Sequence, residues 1–250
     1  MTIALITGAS SGIGWACAEI FASAKIDLIL CGRRNDRLQE LKTKLSSQVK
    51  VHTLCFDVRN NEEVKKALSS LPENFKDIDI LINNAGNAHG LAPIENADMT
   101  DVDMMIDINV KGLLYVSKAI IPSMIEKKKG HIINIGSIAG KEVYPNGNVY
   151  CASKHAVDAL TISMRMDLNQ YGIKVGAVNP GMVETEFSLV RFKGDDERAK
   201  NVYKGLDPLV AKDIADVILF MVTRPAHVNI ADLMILPTAQ ASATVVKRKG

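Results

Sequence analysis

Tyr150 and Lys154 stand four residues apart in a segment of helical pattern. That spacing sets both side chains on one helix face. An ammonium beside a phenol favours the phenolate, so Lys154 is expected to draw the Tyr150 pKa toward neutrality. A phenol tuned in that way can give or take a proton at physiological pH. Such pairs are also frequent accidents of helices, and a third group is needed to give this one meaning. Ser137 supplies it. It follows the run His131-Ile132-Ile133-Asn134-Ile135 through Gly136, where a strand would end, and ligands of open α/β sheets bind at the carboxyl ends of strands. A hydroxyl there can hydrogen-bond a substrate oxygen as charge develops on it; otherwise a serine at such a place satisfies a turn. Gly136-Ser137-Ile138-Ala139-Gly140 lacks the pattern of a nucleophile elbow, which argues against a hydrolase.

A second cluster lies near the amino end. Directly after an apolar run comes Thr7-Gly8-Ala9-Ser10-Ser11-Gly12-Ile13-Gly14. Glycines at 8, 12 and 14 let the backbone turn tightly and approach a pyrophosphate, toward which the next helix points its amino-terminal amides. Where a site for NAD places an acid on the ribose 2′-hydroxyl, this chain reads Cys31-Gly32-Arg33-Arg34. Two guanidiniums and no carboxylate suit a 2′-phosphate and so NADP, although both arginines could merely border a surface turn. Asp57 and Val58, at the end of a third apolar run, are placed to meet an adenine. Asp57 alone would read as a helix N-cap.

These residues need a scaffold, and the hydrophobic pattern provides one. Apolar runs at Ile3–Thr7, Asp27–Cys31, Val51–Phe56, Ile78–Asn83, Gly130–Gly136, Ile173–Val178 and Leu233–Leu236 alternate with helical patterns. The helices are expected near Ile13–Ala24, Asp36–Leu45, Glu62–Leu71, Val102–Lys127, Val149–Tyr171 and Ala211–Met221. Such alternation predicts one α/β domain over residues 1–250, a doubly wound parallel sheet of seven strands covered on both faces. The charged stretch from about 181 to 207 interrupts the pattern and reads as a weakly structured lid or a solvated insertion. The Lys247-Arg248-Lys249 tail reads as a solvated end.

Composition excludes most other classes. The chain has 250 residues, 47% hydrophobic, with 30 basic against 28 acidic side chains, so no basic excess points to nucleic acid. No apolar run reaches the roughly 18 residues of a membrane span. The four cysteines, Cys17, Cys31, Cys55 and Cys151, lack metal-like or CxxC spacing, as expected of free thiols in a cytoplasmic protein. The histidines at 52, 89, 131, 155 and 227 show no ligand spacing either, and no metal is expected.

Taken together, Thr7-Gly8…Gly12-Ile13-Gly14, Asn83-Asn84-Ala85-Gly86, Asn109, Ser137, Tyr150-Cys151-Ala152-Ser153-Lys154 and Pro180-Gly181 resemble the short-chain dehydrogenase/reductase superfamily, in order and over nearly the whole chain. The resemblance implies a Rossmann fold, a nicotinamide cofactor and a catalytic tetrad of Asn109, Ser137, Tyr150 and Lys154. Tyr150 would be the general acid/base and Ser137 would orient the substrate oxygen. Lys154 would bind the nicotinamide ribose, and Asn109 would hold a water relaying protons toward it. Asn84 would sit by the adenosine side, with Asn83, Ala85 and Gly86 shaping the turn. Pro180, Gly181, Val183 and Thr185 would meet the nicotinamide and the phosphates. Arg33 and Arg34 match the NADP-preferring members.

The stretch Pro180-Gly181-Met182-Val183-Glu184-Thr185-Glu186-Phe187, continuing to Asp195, is similar to one subgroup, as are Pro225-Ala226-His227-Val228-Asn229-Ile230 and Leu236-Pro237-Thr238. These are the NADP-dependent 3-hydroxy acid dehydrogenases, which include serine and L-allo-threonine dehydrogenases and malonic semialdehyde reductases. The implied substrate is a small 3-hydroxy acid or its 3-oxo acid. Its carboxylate needs a cation: Arg191 is the candidate, unless Asp195 or Glu186 pairs with it, and Lys141 is the rival. A reductase of bulkier ketones and a non-catalytic NADP-binding protein remain as alternatives. The resemblance further implies a homotetramer. Leu113, Leu114, Val116, Ile120 and Ile121 cover more than one helix face, as an interface or an internal core would require.

Overall fold

The computed structural model describes residues 2–249. Seven strands form one wholly parallel sheet: β1 (Ile3–Thr7), β2 (Asp27–Gly32), β3 (Val51–Cys55), β4 (Ile80–Asn83), β5 (Gly130–Ile135), β6 (Ile173–Pro180) and, last in the chain, Asp232–Ile235. A two-residue pair, β7 (Val183–Glu184) with β8 (Leu209–Val210), precedes that last strand, which is therefore β9. The order β3-β2-β1-β4-β5-β6-β9 reverses direction between β1 and β4, and the crevice at such a switch point is where this architecture binds ligands.

Side chains alternate across the strands, so each apolar run serves two cores. Leu5, Leu81 and Ile132 face one layer, while Ile6, Ile82 and Ile133 face the other. The second layer is closed by α1 (Gly12–Ser23) and α2 (Asn35–Leu45), through Phe21, Leu38 and Leu41. The first is closed by α3 (Asn61–Ser69) and the long segment that follows β4, through Val64, Val116 and Met124. Asn60, not Asp57, caps α3, its Oδ1 accepting from the amides of Glu62 and Glu63 at 3.1 and 3.2 Å.

The long segment departs from the single helix expected. It starts earlier, as α4 (Met99–Ile106) capped by Asp98, passes through a π-helical turn at Asp107–Gly112, and resumes as α5 (Leu113–Lys127). The widened turn is the kind of local departure that collects at functional sites, and Asn109 lies within it. Leu113, Val116 and Ile120 are buried inside the protomer and Ile121 packs against them, so the apolar excess on α5 is mostly internal core. Leu114 alone of the five is exposed. After β5 comes α6 (Asn148–Leu168), which carries Tyr150 and Lys154.

One expectation is corrected at the carboxyl end and another is refined. The 181–207 stretch is built rather than loose. It holds β7, then α7 (Phe187–Arg191) and α8 (Asp196–Asn201), ahead of β8, α9 (Ala211–Val222) and β9. Tyr203 fastens it, its hydroxyl 2.8 Å from the Val183 carbonyl and 2.7 Å from Ser188 Oγ. The basic tail is exposed to solvent, as expected, but it is tied down: Arg248 donates to the Val202 carbonyl at 3.0 Å, and Lys249 pairs with Asp207 at 2.8 Å. The tail finds carbonyls left open by the short helices, contacts that link distant parts of the chain.

One buried group gives a stability prediction. His131 on β5 is buried with neither ring nitrogen hydrogen-bonded. Burial, helped by the Lys174 charge, lowers its pKa from 6.5 to about 3. The folded state keeps the ring neutral while the unfolded chain protonates it. Its stability contribution is therefore complete above pH 6.5 and lost as pH falls from there toward 3, at about 1.4 kcal/mol per pH unit. Urea unfolding at pH 7 and pH 5 should show wild type losing about 2 kcal/mol more than His131→Leu; equal losses would contradict this.

Candidate active site

A cleft of about 730 Å³ opens at the carboxyl ends of the strands, within the size range of cofactor sites. Its floor is the β1–α1 loop. Gly8 turns there with φ +65°, and a side chain on it would press on the Asn84 amide and the Ala85 backbone at about 3 Å. Gly14 lies behind the loop against the Gly8 carbonyl rather than in the cleft, a glycine for close helix–strand packing. Ser11 starts α1 without a side-chain cap, which leaves amino-terminal amides and the positive end of the helix dipole for an anion. Asn84 Nδ2 pins the loop by donating to the Thr7 and Gly8 carbonyls at 2.9 and 3.2 Å.

The two arginines are placed differently. Arg33 lines the cleft with its side chain 60% exposed, 3.8 Å from Asp57. Arg34 is held: Nε and Nη2 donate to Ser10, and Nη1 meets Glu186 at 2.9 Å. Asp57 and Val58 also line the cleft. Burial opposes ionisation of Asp57, yet hydrogen bonds from Arg59 and the charges of Arg59 and Arg33 hold its carboxyl below the usual range. Arg59, which sequence reading passed over, grips Asp57 through two guanidinium nitrogens at 3.0 and 2.7 Å.

At the other end of the cleft the tetrad residues converge, though not all of them reach the surface. Tyr150 and Lys154 are buried on the first turns of α6 and line the cleft beside Ser137. The Ser137 backbone amide donates to Asn179 Oδ1 at 3.2 Å, and its Oγ accepts from the Ala139 amide at 3.0 Å. Asn109 lies behind them. Its Oδ1 accepts from the Asn87 amide at 2.8 Å, and its Nδ2 donates to the Asn87 carbonyl at 2.8 Å and Ser153 Oγ at 3.0 Å. With its amide committed to the protein, Asn109 braces the turn carrying Gly86 and the start of α6. Asn83 is equally removed from the cleft, buried and bonded to Ser117 and Asn134 at 2.8 and 2.9 Å. Its part is to tie β4 to β5 and α5.

The electrostatics correct one expectation. Lys154 Nζ donates to the Ile135 carbonyl at 2.8 Å, and burial lowers its own pKa to about 8. Burial pushes the Tyr150 phenol up, against a lowering hydrogen bond from Ser137 and the charge of Arg191. As arranged here, Tyr150 carries its proton at neutral pH. Lys154 pays for its position in stability: the charged form is disfavoured in the fold, so its contribution is complete above pH 10.5 and lost as pH falls toward 8. That leaves a cost of about 3 kcal/mol at pH 7. Lys154→Met is expected to raise the midpoint of thermal unfolding while removing activity; a lower midpoint would contradict the assignment.

Arg191 closes the cleft over Tyr150, its guanidinium 5.6 Å from that ring and 5.8 Å from Tyr144. Nε donates to the Gly90 carbonyl at 3.1 Å, and the Gly90 amide returns a bond to the Arg191 carbonyl. Among the described residues no carboxylate pairs with it: Glu186 is on Arg34, and Asp195 caps α8. The rival Lys141 is outside the cleft, bound between Asp158 and Asp232 at 2.5 and 2.9 Å. Pro180, Gly181, Val183 and Thr185 complete the wall. Tyr144, Phe187 and Tyr203 also line the cleft. Nothing in their own spacing marks them, except that Tyr144 precedes a Pro-Asn-Gly turn leading into the Tyr150 helix.

The arrangement fits a phosphate-bearing dinucleotide on this chain's own features: bare glycine backbone, an uncapped helix start, and arginines where a 2′-phosphate would lie. Comparison with known proteins agrees. A family model described as short chain dehydrogenase matches residues 2–195. Sulfoacetaldehyde reductase 2 of Chromohalobacter salexigens is 46% identical over 98% of each chain. The NADP-dependent 3-hydroxy acid dehydrogenase of Schizosaccharomyces pombe is 45% identical, over 98% of this chain and 96% of that one. A solved closed form of serine dehydrogenase complexed with NADP+ superimposes with a TM-score of 0.93 at 42% identity, covering all of both chains.

Proposed function

The chain belongs to the short-chain dehydrogenase family, and from that premise we propose that it is an NADP-dependent oxidoreductase interconverting small 3-hydroxy acids and their 3-oxo acids. The observation that carries the substrate class is Arg191: a guanidinium that no carboxylate pairs with among the described residues, over the Tyr150 ring. Such a group recognises a compact anion in bidentate fashion, and a pocket for bulky neutral ketones has no use for it.

Bound NADP supplies the hydride acceptor or donor. The protein's own residues do the rest. Ser137 orients the reacting oxygen by hydrogen bonding. Tyr150 moves a proton at that oxygen, donating in the direction of reduction and accepting in the direction of oxidation. Lys154 holds positive charge nearby and binds the cofactor's ribose, and Asn109, whose side chain braces Asn87 and Ser153, holds a water that relays protons toward it. Gly8, Ser10, Ser11, Gly12 and Ile13 cradle the pyrophosphate, Arg33 and Arg34 hold the 2′-phosphate, and Asp57 and Val58 border the adenine. Asn84, Ala85, Gly86, Pro180, Gly181, Val183 and Thr185 line the rest of the cofactor's path. The 181–207 stretch serves as a lid that excludes water.

The same anion recognition would serve a sulfonate, as the name of the Chromohalobacter relative indicates. Formation of reduced cofactor should therefore be followed with L-serine, L-allo-threonine, 3-hydroxypropionate, 3-hydroxyisobutyrate and 2-hydroxyethanesulfonate, each with NADP+ and NAD+. Turnover of a carboxylate with NADP+ is expected. Turnover of the sulfonate alone would reassign the substrate, and turnover of none of these anions would overturn the reading.

We also place the protein in the cytoplasm as a homotetramer. Three of the four thiols are buried and unpaired, and Leu114, Ile162 and Met166 leave apolar surface on α5 and α6. No helix among the described residues is long and apolar enough to cross a membrane.

A further inference from the structure

The lid and the cofactor's phosphate end share an ion pair. Glu186 lies at the foot of the lid, one residue before α7, and its carboxylate meets Arg34 Nη1 at 2.9 Å. The remaining guanidinium donors that Arg34 uses go to Ser10, Nε to Oγ at 3.3 Å and Nη2 to the carbonyl at 3.2 Å. Thr185, the residue before Glu186, packs against the β1–α1 loop, 3.4 Å from where a side chain on Gly12 would begin. Arg191, the candidate substrate cation, is the last residue of α7. One short stretch thus joins the phosphate-binding loop, Arg34 and the cation over Tyr150.

We propose that Glu186 competes with the 2′-phosphate of NADP for Arg34, so that the phosphate distinguishing NADP from NAD also releases the foot of the lid. The inference rests on the NADP reading above. A phosphate dianion is a stronger partner for a guanidinium than one carboxylate, and two anions beside Arg34 repel each other. Both partners of the pair are about half exposed, so Glu186 gives a modest hold that bound phosphate overcomes. Arg33, whose nearest carboxylate is 3.8 Å away, offers the phosphate its first contact. NAD, lacking the phosphate, would bind without displacing Glu186.

The test is the dissociation constant of NADP+ and of NAD+, measured by quenching of protein fluorescence, for wild type, Glu186→Gln, Arg34→Ala and the double variant. Glu186→Gln should bind NADP+ about three- to five-fold more tightly with NAD+ unchanged, and the gain should vanish in the Arg34→Ala background. An unchanged or weaker NADP+ affinity in Glu186→Gln overturns the proposal. So does an equal gain for NAD+, or a gain that survives loss of Arg34. If wild type fails to prefer NADP+ over NAD+, the cofactor reading itself falls and this inference with it. Preference in wild type with no effect of Glu186→Gln rejects the inference alone.

Discussion

Tyr150→Phe is expected to lower turnover by about a thousand-fold, within the usual range for losing a positioned general acid/base, while NADP+ still binds near its wild-type affinity. The ring packs 5.7 Å from Phe187 and under Arg191, and phenylalanine keeps those contacts. Only the hydroxyl that faces Ser137 is lost. Oxidation of the hydroxy acid by NADP+ releases a proton that Tyr150 must pass to solvent, so reduction of the oxo acid should be favoured as pH falls and oxidation of the hydroxy acid as pH rises. Steady-state rates in both directions, with cofactor affinity measured separately, check the result. Turnover within a few-fold of wild type would remove Tyr150 from the chemistry.

Arg191→Ala is expected to lower kcat/KM for the hydroxy acid by about a hundred-fold, the scale of a charge-assisted bidentate contact, mainly through a higher KM. The substitution also removes the Nε bond to the Gly90 carbonyl, which ties α7 to the loop beyond β4. A neutral alcohol of the same size separates the two roles. If recognition of the anion is what Arg191 contributes, the neutral compound loses little; equal losses for both would make the residue a tie for the lid.

The sheet was legible because its strands are short apolar runs buried on both faces, and runs such as Ile80-Leu81-Ile82 have few other homes. The glycine loop and the Tyr150–Lys154 pair were legible because a strand before one and a helix beneath the other give their spacing a geometric meaning. Local pattern fails where distant contacts decide. The hydrophobic periodicity from Val102 to Lys127 carries straight through the π-helical turn at Asp107–Gly112, because a widened turn shifts the register without interrupting the apolar face. Asn109 therefore reads as a polar helix residue, and only its bonds to Asn87 and Ser153 show it as a brace.

Arg33 and Arg34 are adjacent and chemically identical, yet one is largely free and the other is shared between Ser10 and Glu186. That division depends on a residue about 150 positions away. The Lys247-Arg248-Lys249 tail shows the same limit: it is exposed, as charge and terminal position indicate, but its ties to the carbonyls of Val202 and Gly205 have no local signal. Lys141 shows the converse. It is close in sequence to Ser137 but is drawn away by Asp158 and Asp232.

The proposed reaction moves a hydride from the hydroxyl-bearing carbon of a small 3-hydroxy acid to NADP+ at this site. The most direct measurement uses 3-hydroxypropionate deuterated at that carbon, with NADP+ and wild-type protein, followed by mass analysis of the reduced dinucleotide. The product is expected to carry one deuterium from the substrate, and Tyr150→Phe to form it far more slowly. Reduced dinucleotide without the label, or tight NADP+ binding with no label transferred from this or the other small hydroxy acids deuterated in the same way, would contradict the proposed reaction.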